Sequence, residues 1–197
     1  MASFIDERMR FFFVHVPKTG GMTVTRFFAG VRGWRQDRSL KNGQLGIHDG
    51  VEEIFGLLGP ERASYFSFAY YRNSWDWAFS LYRYVKRTQG HPWHTRVKDL
   101  GFRDYVREVA AEFHRPQRPL VAPAGEIAVS RLEDFRGLQT SLPEILEELG
   151  YAPGRLGVVN AAPDRCDYRD AYDRESRAVI GQIYADDIAF FDFRFGD

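Results

Sequence analysis

The chain has 197 residues, of which 44% are hydrophobic and 16% aromatic, and its 27 basic and 27 acidic side chains give a formal net charge of zero. Such a chain is globular rather than disordered and can bury a sizeable core, so we predict a single domain over residues 1–197. The balanced charge does not favour nucleic-acid binding. The single cysteine, Cys166, excludes an internal disulfide and disfavours a cysteine-built metal site.

The sequence also lacks signals for secretion and membrane insertion. The first ten residues, "MASFIDERMR", are charged and have no apolar segment of the kind found in secretory signals. No stretch has the length and apolarity of a membrane span. We therefore predict a soluble, cytoplasmic protein with no nucleic-acid or membrane partner, and the sequence leaves its oligomeric state open.

Apolar runs and helical spacing alternate along the chain. Residues 11–16 form an apolar run typical of a buried parallel strand, the glycine loop 17–21 follows, and residues 22–29 have the spacing of a helix. The pattern then predicts strands at 64–71 and 126–132 and helices within 46–59, 73–87, 102–113, 141–150 and 173–191, with Ser74 as the N-cap of the helix at 73–87. This alternation predicts an α/β fold with a central, mainly parallel sheet flanked by helices.

The loop "PKTGG" at 17–21 lies between a predicted strand and a predicted helix. A loop in this position can hold an anion, because backbone N–H groups and the helix dipole point at it and glycine allows close approach. Lys18 would add a positive charge, and Thr19 and Thr23 would add hydroxyl donors. A tight strand–helix turn with a solvated lysine explains the same residues equally well.

The loop differs from the Walker-type phosphate loop, in which the lysine follows the last glycine. Here Lys18 precedes both glycines. The predicted strand "EIAVSRLED" ends in Arg131 and Glu133 instead of a metal-holding aspartate. Both features disfavour magnesium-dependent ATP or GTP chemistry, and hence a kinase.

A second candidate anion site follows the strand predicted at 64–71. In "YYRNSWDWAFSLYRY", Arg72 ends the strand and Ser80 lies about two turns into the next helix. The carboxyl ends of parallel strands share one edge of a sheet, so we expect Arg72 near the glycine loop. The guanidinium of Arg72 offers a fork of donors suited to phosphate. Two such sites predict a ligand with two separated anionic groups.

These segments resemble motifs of the sulfotransferase family. "HVPKTGG" resembles the family's 5′-phosphosulfate loop, and "RNSWDWAFSLYRY" resembles its 3′-phosphate motif, with arginine and serine eight residues apart. The resemblance is greatest to sulfotransferase family 2, a branch with bacterial and Golgi members. "IHDGVEEIFG" is similar to the family's histidine-containing segment. Later landmarks match in order, so that the resemblance covers nearly the whole chain: "RPQRPLV", "SRLEDF", "LEELGY", "VVNAAPDRCDYRDAYD" and "YADDIAFF".

The resemblance implies a P-loop NTPase-like three-layer fold and a sulfuryl transfer that requires no metal. The donor would be 3′-phosphoadenosine 5′-phosphosulfate (PAPS). The acceptor would be a hydroxyl or amine of a small molecule or carbohydrate, and the desulfated nucleotide (PAP) would be released. By match to the family motifs, the residues that would hold the 5′-phosphosulfate are Lys18, Thr19, Gly20, Gly21, Met22 and Thr23. Those that would hold the 3′-phosphate are Arg72 and Ser80. The segment that would close over the nucleotide contains Asn160, Arg165 and Tyr168. Met22 departs from the family, which usually has a hydroxyl residue there.

Two residues are the expected catalysts. The resemblance assigns to Lys18 the neutralisation of charge on the oxygen between sulfur and the 5′-phosphate. Histidine is suited to accept the acceptor proton near neutral pH, and His48 matches the family's histidine segment. Asp49 or Glu52 can replace His48 as the base, and His48 can also be a turn histidine bonded to Asp49 or to backbone. His15 is expected to be a core histidine.

Several questions stay open at this stage. Residues 86–101 are either a solvated loop or an acceptor-binding segment in which Trp93 and nearby cations contact a sugar. Arg131 and Glu133 either orient the site or form a structural ion pair, and the structural ion pair is the favoured interpretation. The principal alternative function is a PAP-binding protein that has lost transfer, which Met22 supports; a kinase of related fold is disfavoured.

Overall fold

The computed structural model describes residues 3–30, 44–151 and 166–197. The strands are β1 (Phe4–Asp6), β2 (Phe11–Val14), β3 (Phe66–Tyr71) and β4 (Arg131–Asp134). The α-helices are α1 (Gly21–Gly30), α2 (Val51–Leu58), α3 (Ser74–Arg87), α4 (His94–Val97), α5 (Phe102–Glu108), α6 (Arg118–Val121), α7 (Leu138–Glu148), α8 (Tyr168–Ala171), α9 (Arg174–Ile183) and α10 (Ala185–Phe191). Short 3-10 helices occur at Gly59–Ser64 and Phe135–Gly137.

Contacts group the chain into two compact units. The first contains Met1–Tyr71 and Gln117–Ala161, and the second contains Arg72–Pro116 and Ala162–Asp197. The single domain predicted over residues 1–197 stays a prediction. Within the described ranges, each helix is too short or too polar to cross a lipid bilayer.

In the described residues, the first unit contains one four-stranded sheet in the order β1-β2-β3-β4. β2, β3 and β4 run parallel, and β1 pairs antiparallel with β2. The protein therefore has an α/β fold with a mostly parallel sheet flanked by helices, as the sequence predicts. β1 was not predicted, because three residues are too few to show a period-two pattern.

Both faces of β2 are buried, which explains its uninterrupted apolar run. Phe11 and Phe13 pack on one face, where Phe11 stacks on Phe28 of α1 with ring centroids 5.3 Å apart. Phe12 points to the other face and makes an edge contact at 6.1 Å with Phe55 of α2. Alternation along the strand thus supplies apolar side chains to helices on both sides of the sheet.

β4 begins five residues later than predicted. Ser67 and Ser130 explain the shift, because their side chains take the place of ladder bonds. The Ser130 N–H donates to Ser67 Oγ at 2.8 Å, and the Ser67 N–H donates to Ser130 Oγ at 3.1 Å. The Ala128 N–H donates to the Val121 carbonyl at the end of α6, at 2.8 Å. The segment before β4 is therefore occupied by other hydrogen bonds.

The ion pair expected at β4 is present. The Arg131 guanidinium contacts Glu133, and it also contacts Glu144 and Glu148 of α7, each at 2.6 Å. One arginine thereby joins the edge strand to the helix that covers it.

The described part of the second unit is helical, and the observed helix boundaries correct three predictions. The N-cap of α3 is Asn73 rather than Ser74, because the Asn73 side chain accepts a hydrogen bond from the Trp75 N–H at 3.1 Å. α5 ends at Glu108, where Val109 leaves helical geometry with φ −127°. The helix predicted at 173–191 is two helices, α9 and α10, which are separated at Tyr184 with φ −109° and ψ 27°.

Candidate functional site

The glycine loop adopts an unusual backbone between β2 and α1. Lys18 has φ 63° and Gly20 has φ 86°. A non-glycine residue rarely adopts a positive φ, and such strain persists only where the surroundings hold it in place. The Thr19 hydroxyl supplies one such contact, since it donates to the Val16 carbonyl at 2.8 Å.

The loop leads directly into the first turn of α1. The N–H groups of Thr23 and Val24 donate to the Gly20 carbonyl, at 2.7 and 3.1 Å. The first N–H groups of a helix lack intrahelical acceptors and carry positive partial charge. The described first turn of α1 has no acidic side chain to offset that charge. This helix start suits an anion.

The threonines and Met22 differ in what they offer to a ligand. Thr19 is fully buried, and its hydroxyl proton is used within the loop. Thr23 is also buried, whereas the Met22 side chain is 41% exposed. The predicted hydroxyl donation by Thr19 thus competes with a structural hydrogen bond, and the roles of Thr23 and Met22 stay predictions.

Both loop glycines are required by close packing. A Cβ on Gly20 would lie 2.7 Å from Leu138 Cδ1 and 3.0 Å from Phe135 Cε2. A Cβ on Gly21 would lie far inside contact distance of Cδ2 and Nε2 of His15. The loop therefore rests on the start of α7 on one side and on the His15 ring on the other.

A hydrogen-bonded turn places His48 at the end of β2. The Ser3 hydroxyl donates to the Asp49 carbonyl at 2.8 Å and accepts from the His15 N–H at 2.9 Å. The Asp49 carboxylate accepts from the Gly46 N–H at 2.7 Å and so closes the turn. The residues 46–50 are thereby held against the strand end.

His48 and His15 are in direct contact. Their ring centroids are 4.8 Å apart, and His48 Nδ1 lies 3.2 Å from the His15 carbonyl oxygen. Because a carbonyl only accepts, Nδ1 of His48 is the donor in this contact, and in the neutral ring the lone pair then belongs to Nε2. The structure thus brings His48 beside the glycine loop, with the His15 ring between His48 and Gly21.

Sequence reasoning missed this part of the site. His15 is 8% exposed and so buried, as expected of a core histidine. Its contacts with Gly21 and His48 have no local signal, since 33 residues separate the two histidines. The backbone bond of His48 was one of the alternatives from the sequence, and its catalytic role stays a prediction. Of the alternative bases, Asp49 holds the turn and Glu52 is exposed on α2.

In the second unit, Arg72 is paired with an acid. Its Nε and Nη2 donate to the two carboxylate oxygens of Asp76, at 2.7 and 2.8 Å. Ser80 lies one turn beyond Asp76 on the same face of α3. The spacing of four between Arg72 and Asp76 was a signal for this pair. A phosphate at Arg72 would therefore share the guanidinium with a carboxylate.

Of the three residues expected to close over the nucleotide, the structure describes Tyr168. The Tyr168 hydroxyl accepts from the Gly196 N–H at 2.9 Å, and its ring meets Phe195 at 5.6 Å. Burial raises the pKa of Tyr168, and the charge of Asp76 adds to that rise. Tyr168 thus holds the C-terminal segment. Asn160 and Arg165 lie outside the described residues.

Within residues 86–101, Trp93 and Val97 pack against other parts of the second unit. Trp93 stacks on Phe113 with centroids 5.0 Å apart, and the Arg96 guanidinium lies 4.9 Å from the Trp93 ring centroid. Arg96 also forms a bidentate pair with Glu112 at 2.7 and 3.0 Å. Trp93 is half-buried, while most of the segment is exposed or half-buried, so the solvated-loop interpretation and acceptor contact both stay predictions.

Comparison of the chain with protein-family models, with curated proteins and with solved structures finds no match. A functional proposal therefore rests on the chain's own residues. The predicted cytoplasmic location and the predicted lack of nucleic-acid and membrane partners stay predictions. In the part of the chain that the structure describes, no group of three or more His, Cys, Asp or Glu side chains is arranged to hold a metal ion.

The first unit offers two kinds of chemical group to a ligand at this position. Lys18 and the start of α1 offer positive charge to an anionic group. His48 Nε2 offers a lone pair to a proton on a group bound beside that anion. This combination suits the transfer of an anionic group to an acceptor that must lose a proton.

Proposed function

We propose that the protein is a sulfotransferase with a P-loop NTPase-like fold that uses PAPS as its donor. It transfers a sulfuryl group to a hydroxyl or amine of a small-molecule or carbohydrate acceptor and releases PAP. The observation that supports this most strongly is the contact chain from Gly21 through the His15 ring to His48, because it sets a base next to an anion loop.

The residues of the glycine loop fit the anionic end of PAPS. The glycines have no Cβ that would separate the backbone from a ligand. Lys18, with its strained φ, lies in the same segment, which would contact the ligand. PAPS supplies the sulfuryl group, which bonds to the acceptor oxygen as the bond from sulfur to the 5′-phosphate oxygen breaks and its electron pair leaves with PAP. Lys18 stabilises the negative charge that develops on that leaving oxygen.

His48 is the general base of the proposed reaction. Its Nδ1 proton is held by the His15 carbonyl, so the ring keeps one orientation and one tautomer. Nε2 then takes the proton of the acceptor hydroxyl as the new bond forms. Positioning and charge stabilisation supply the rest of the rate enhancement, as in phosphoryl transfer.

Arg72 and Ser80 are the proposed ligands of the 3′-phosphate. A guanidinium has five N–H donors, so Arg72 can hold Asp76 and a phosphate together. Asp76 then keeps the arginine oriented before the nucleotide binds. Tyr168, Asn160 and Arg165 are proposed to contact the nucleotide, as the family motifs imply.

A PAP-binding protein without transferase activity is the second candidate. Met22 favours it, because the family's hydroxyl donor after the two glycines is replaced by an exposed thioether side chain. A kinase is the third candidate, but the glycine loop of this chain lacks the lysine that follows the last glycine in a Walker-type loop.

Thermal unfolding with and without PAP tests the nucleotide site. A ligand that binds only the folded state adds about 2.7 kcal/mol at a hundredfold excess over Kd, so we expect a clear rise in Tm with PAP. Lys18→Ala should lose most of that rise because the charge on the anion loop is gone. The matched control is Lys98→Ala, which removes an exposed lysine that pairs with Asp99. This variant should show the same rise in Tm as the wild-type protein.

ATP with magnesium is the matched ligand control and should leave Tm unchanged. A rise with ATP–magnesium alone would favour the kinase. No rise with PAP in the wild-type protein would contradict the proposed donor. A rise with PAP but no transfer to any acceptor would favour the second candidate.

A further inference from the structure

Residues 193–197 lie against the start of α3 within the second unit, and we call this segment the strap. Asp192, which follows α10, has φ 51°, a left-handed conformation that turns the chain out of the helix. The Asp197 carboxylate accepts a hydrogen bond from the Arg194 N–H at 2.7 Å, so the strap forms a turn of its own. The strap therefore has a defined conformation.

The ring of Phe195 anchors the strap among other aromatic rings. Edge contacts join it to Trp75, Tyr168 and Tyr172, with centroids 5.8, 5.6 and 5.3 Å apart. The Arg177 guanidinium lies 4.5 Å from the Phe195 ring centroid. Edge-to-face ring pairs and a guanidinium above a ring are both favourable contacts. Since Trp75 belongs to the first turn of α3, the strap packs on that turn.

Asn73 joins the strap to α3 by hydrogen bonds. Its side-chain oxygen accepts from the Trp75 N–H and caps the helix, while its Nδ2 donates to the Arg194 carbonyl at 2.8 Å. Asn73 is buried, so both ends of its amide are satisfied within the protein. Arg72, the proposed ligand of the 3′-phosphate, directly precedes Asn73.

A third contact links the strap to the surroundings of Asp76. The Gly196 N–H donates to the Tyr168 hydroxyl at 2.9 Å. Burial raises the pKa of Tyr168, and the negative charge of Asp76 adds to that rise, which places the carboxylate near the phenol. Asp76 is the acid that holds both Nε and Nη2 of Arg72. The strap is thus tied to the neighbour of Arg72 in the chain and lies near its ion-pair partner.

We infer that the strap positions Arg72 and thereby sets the preference of the site for a 3′-phosphorylated nucleotide. This inference rests on the proposed function. A guanidinium binds phosphate best through two parallel hydrogen bonds, and such a site must be held within about 0.5 Å of its productive geometry. Asp76 fixes the guanidinium, and the strap fixes the backbone from which Arg72 extends. Asn73 and Phe195 are therefore positioning residues, which act on the phosphate through Arg72.

Two nucleotides that differ only in the 3′-phosphate test this inference. Calorimetry gives Kd for PAP and for adenosine 5′-monophosphate (AMP), and we expect the wild-type protein to prefer PAP. Asn73→Ser keeps a good N-cap but is too short for the bond to the Arg194 carbonyl. Asn73→Ser and Phe195→Ala should each raise Kd for PAP about tenfold and leave Kd for AMP unchanged. A purely structural role of the strap would not change the ratio of the two constants.

A double variant shows whether the strap acts through Arg72. Arg72→Ala should abolish the preference for PAP over AMP. In that background, Phe195→Ala should cause no further change in Kd for PAP, because the group that it positions is gone. Phe190→Ala is the matched control, since it removes another half-buried phenylalanine ring, from α10, and should keep the wild-type ratio. Circular dichroism verifies that each variant is folded.

Several results would overturn the inference and leave the proposed function intact. They are a wild-type ratio in both strap variants, an equal loss of PAP and AMP binding, tighter PAP binding without the Phe195 ring, or a further loss when Phe195→Ala is added to Arg72→Ala. If the wild-type protein does not bind PAP, the proposed function fails and the inference fails with it.

Discussion

We expect the His48→Ala variant to lose about 10²- to 10⁴-fold in kcat while it binds PAP as tightly as the wild-type protein. The imidazole accepts the acceptor proton, so its removal affects the chemical step. Donor binding depends on the glycine loop, which touches the His15 ring rather than the His48 ring. The measurement is kcat for acceptor-dependent PAP release, together with the rise in Tm that PAP produces.

Two variants control for structural effects of this change. His48→Gln keeps a donor for the His15 carbonyl but provides no base, so its kcat should be as low as that of His48→Ala. His114→Ala removes an exposed histidine whose Nδ1 also lies near a backbone carbonyl, that of Ala111 at 2.9 Å, and should behave as wild type. A His48→Ala variant with wild-type kcat would show that another group is the base, and Glu52 would be the first alternative to test.

The Gly21→Ala variant should lose both stability and activity. The new Cβ would overlap the His15 ring, which is buried and stacks on Phe13 at 6.1 Å. Either the ring or the first turn of α1 must move, and overpacking of this kind costs about 1–3 kcal/mol in the free energy of unfolding. Displacement of His48 and the anion loop by about 1 Å can lower kcat by about 10²-fold. Chemical unfolding and PAP release measure the two effects.

A double variant separates the collision from other effects of the alanine. Since His15→Ala removes the ring that the new Cβ meets, His15→Ala combined with Gly21→Ala should be destabilised by less than the sum of the two single changes. Gly56→Ala is the matched control, because a Cβ there meets no atom within 4 Å and helix propensity then favours alanine by about 1 kcal/mol. Additive single effects would contradict the contact between Gly21 and His15.

The sequence predicted those parts of the fold that have a local cause. The run at 11–14 is uninterrupted because both faces of β2 are buried, and periodicity detects such a run. β4 was misplaced because a serine pair replaces its first ladder bonds. Serine is a good cap and so predicts Ser74 as the N-cap, but asparagine is equally good and Asn73 lies one residue earlier.

The local structure of the candidate site was predicted where one segment carries it, and the function of the site stays a prediction. The glycine loop has its lysine, its two glycines and its strand–helix position within a few residues, and all of these are where the pattern put them. The contact between His15 and His48 depends on a turn held by Ser3, far away in the sequence. The pairing of Arg72 with Asp76 has a local signal in its spacing of four.

Conversion of PAPS in the presence of an acceptor is the most direct test of the proposed sulfuryl transfer. The wild-type protein is incubated with PAPS and a panel of hydroxyl and amine acceptors, among them N-acetylglucosamine, in EDTA and in magnesium, and both PAP and sulfated acceptor are quantified. We expect equal molar amounts of the two products, at the same rate with and without magnesium. Release of PAP without sulfated acceptor, or no release with any acceptor of the panel, would contradict a sulfotransferase.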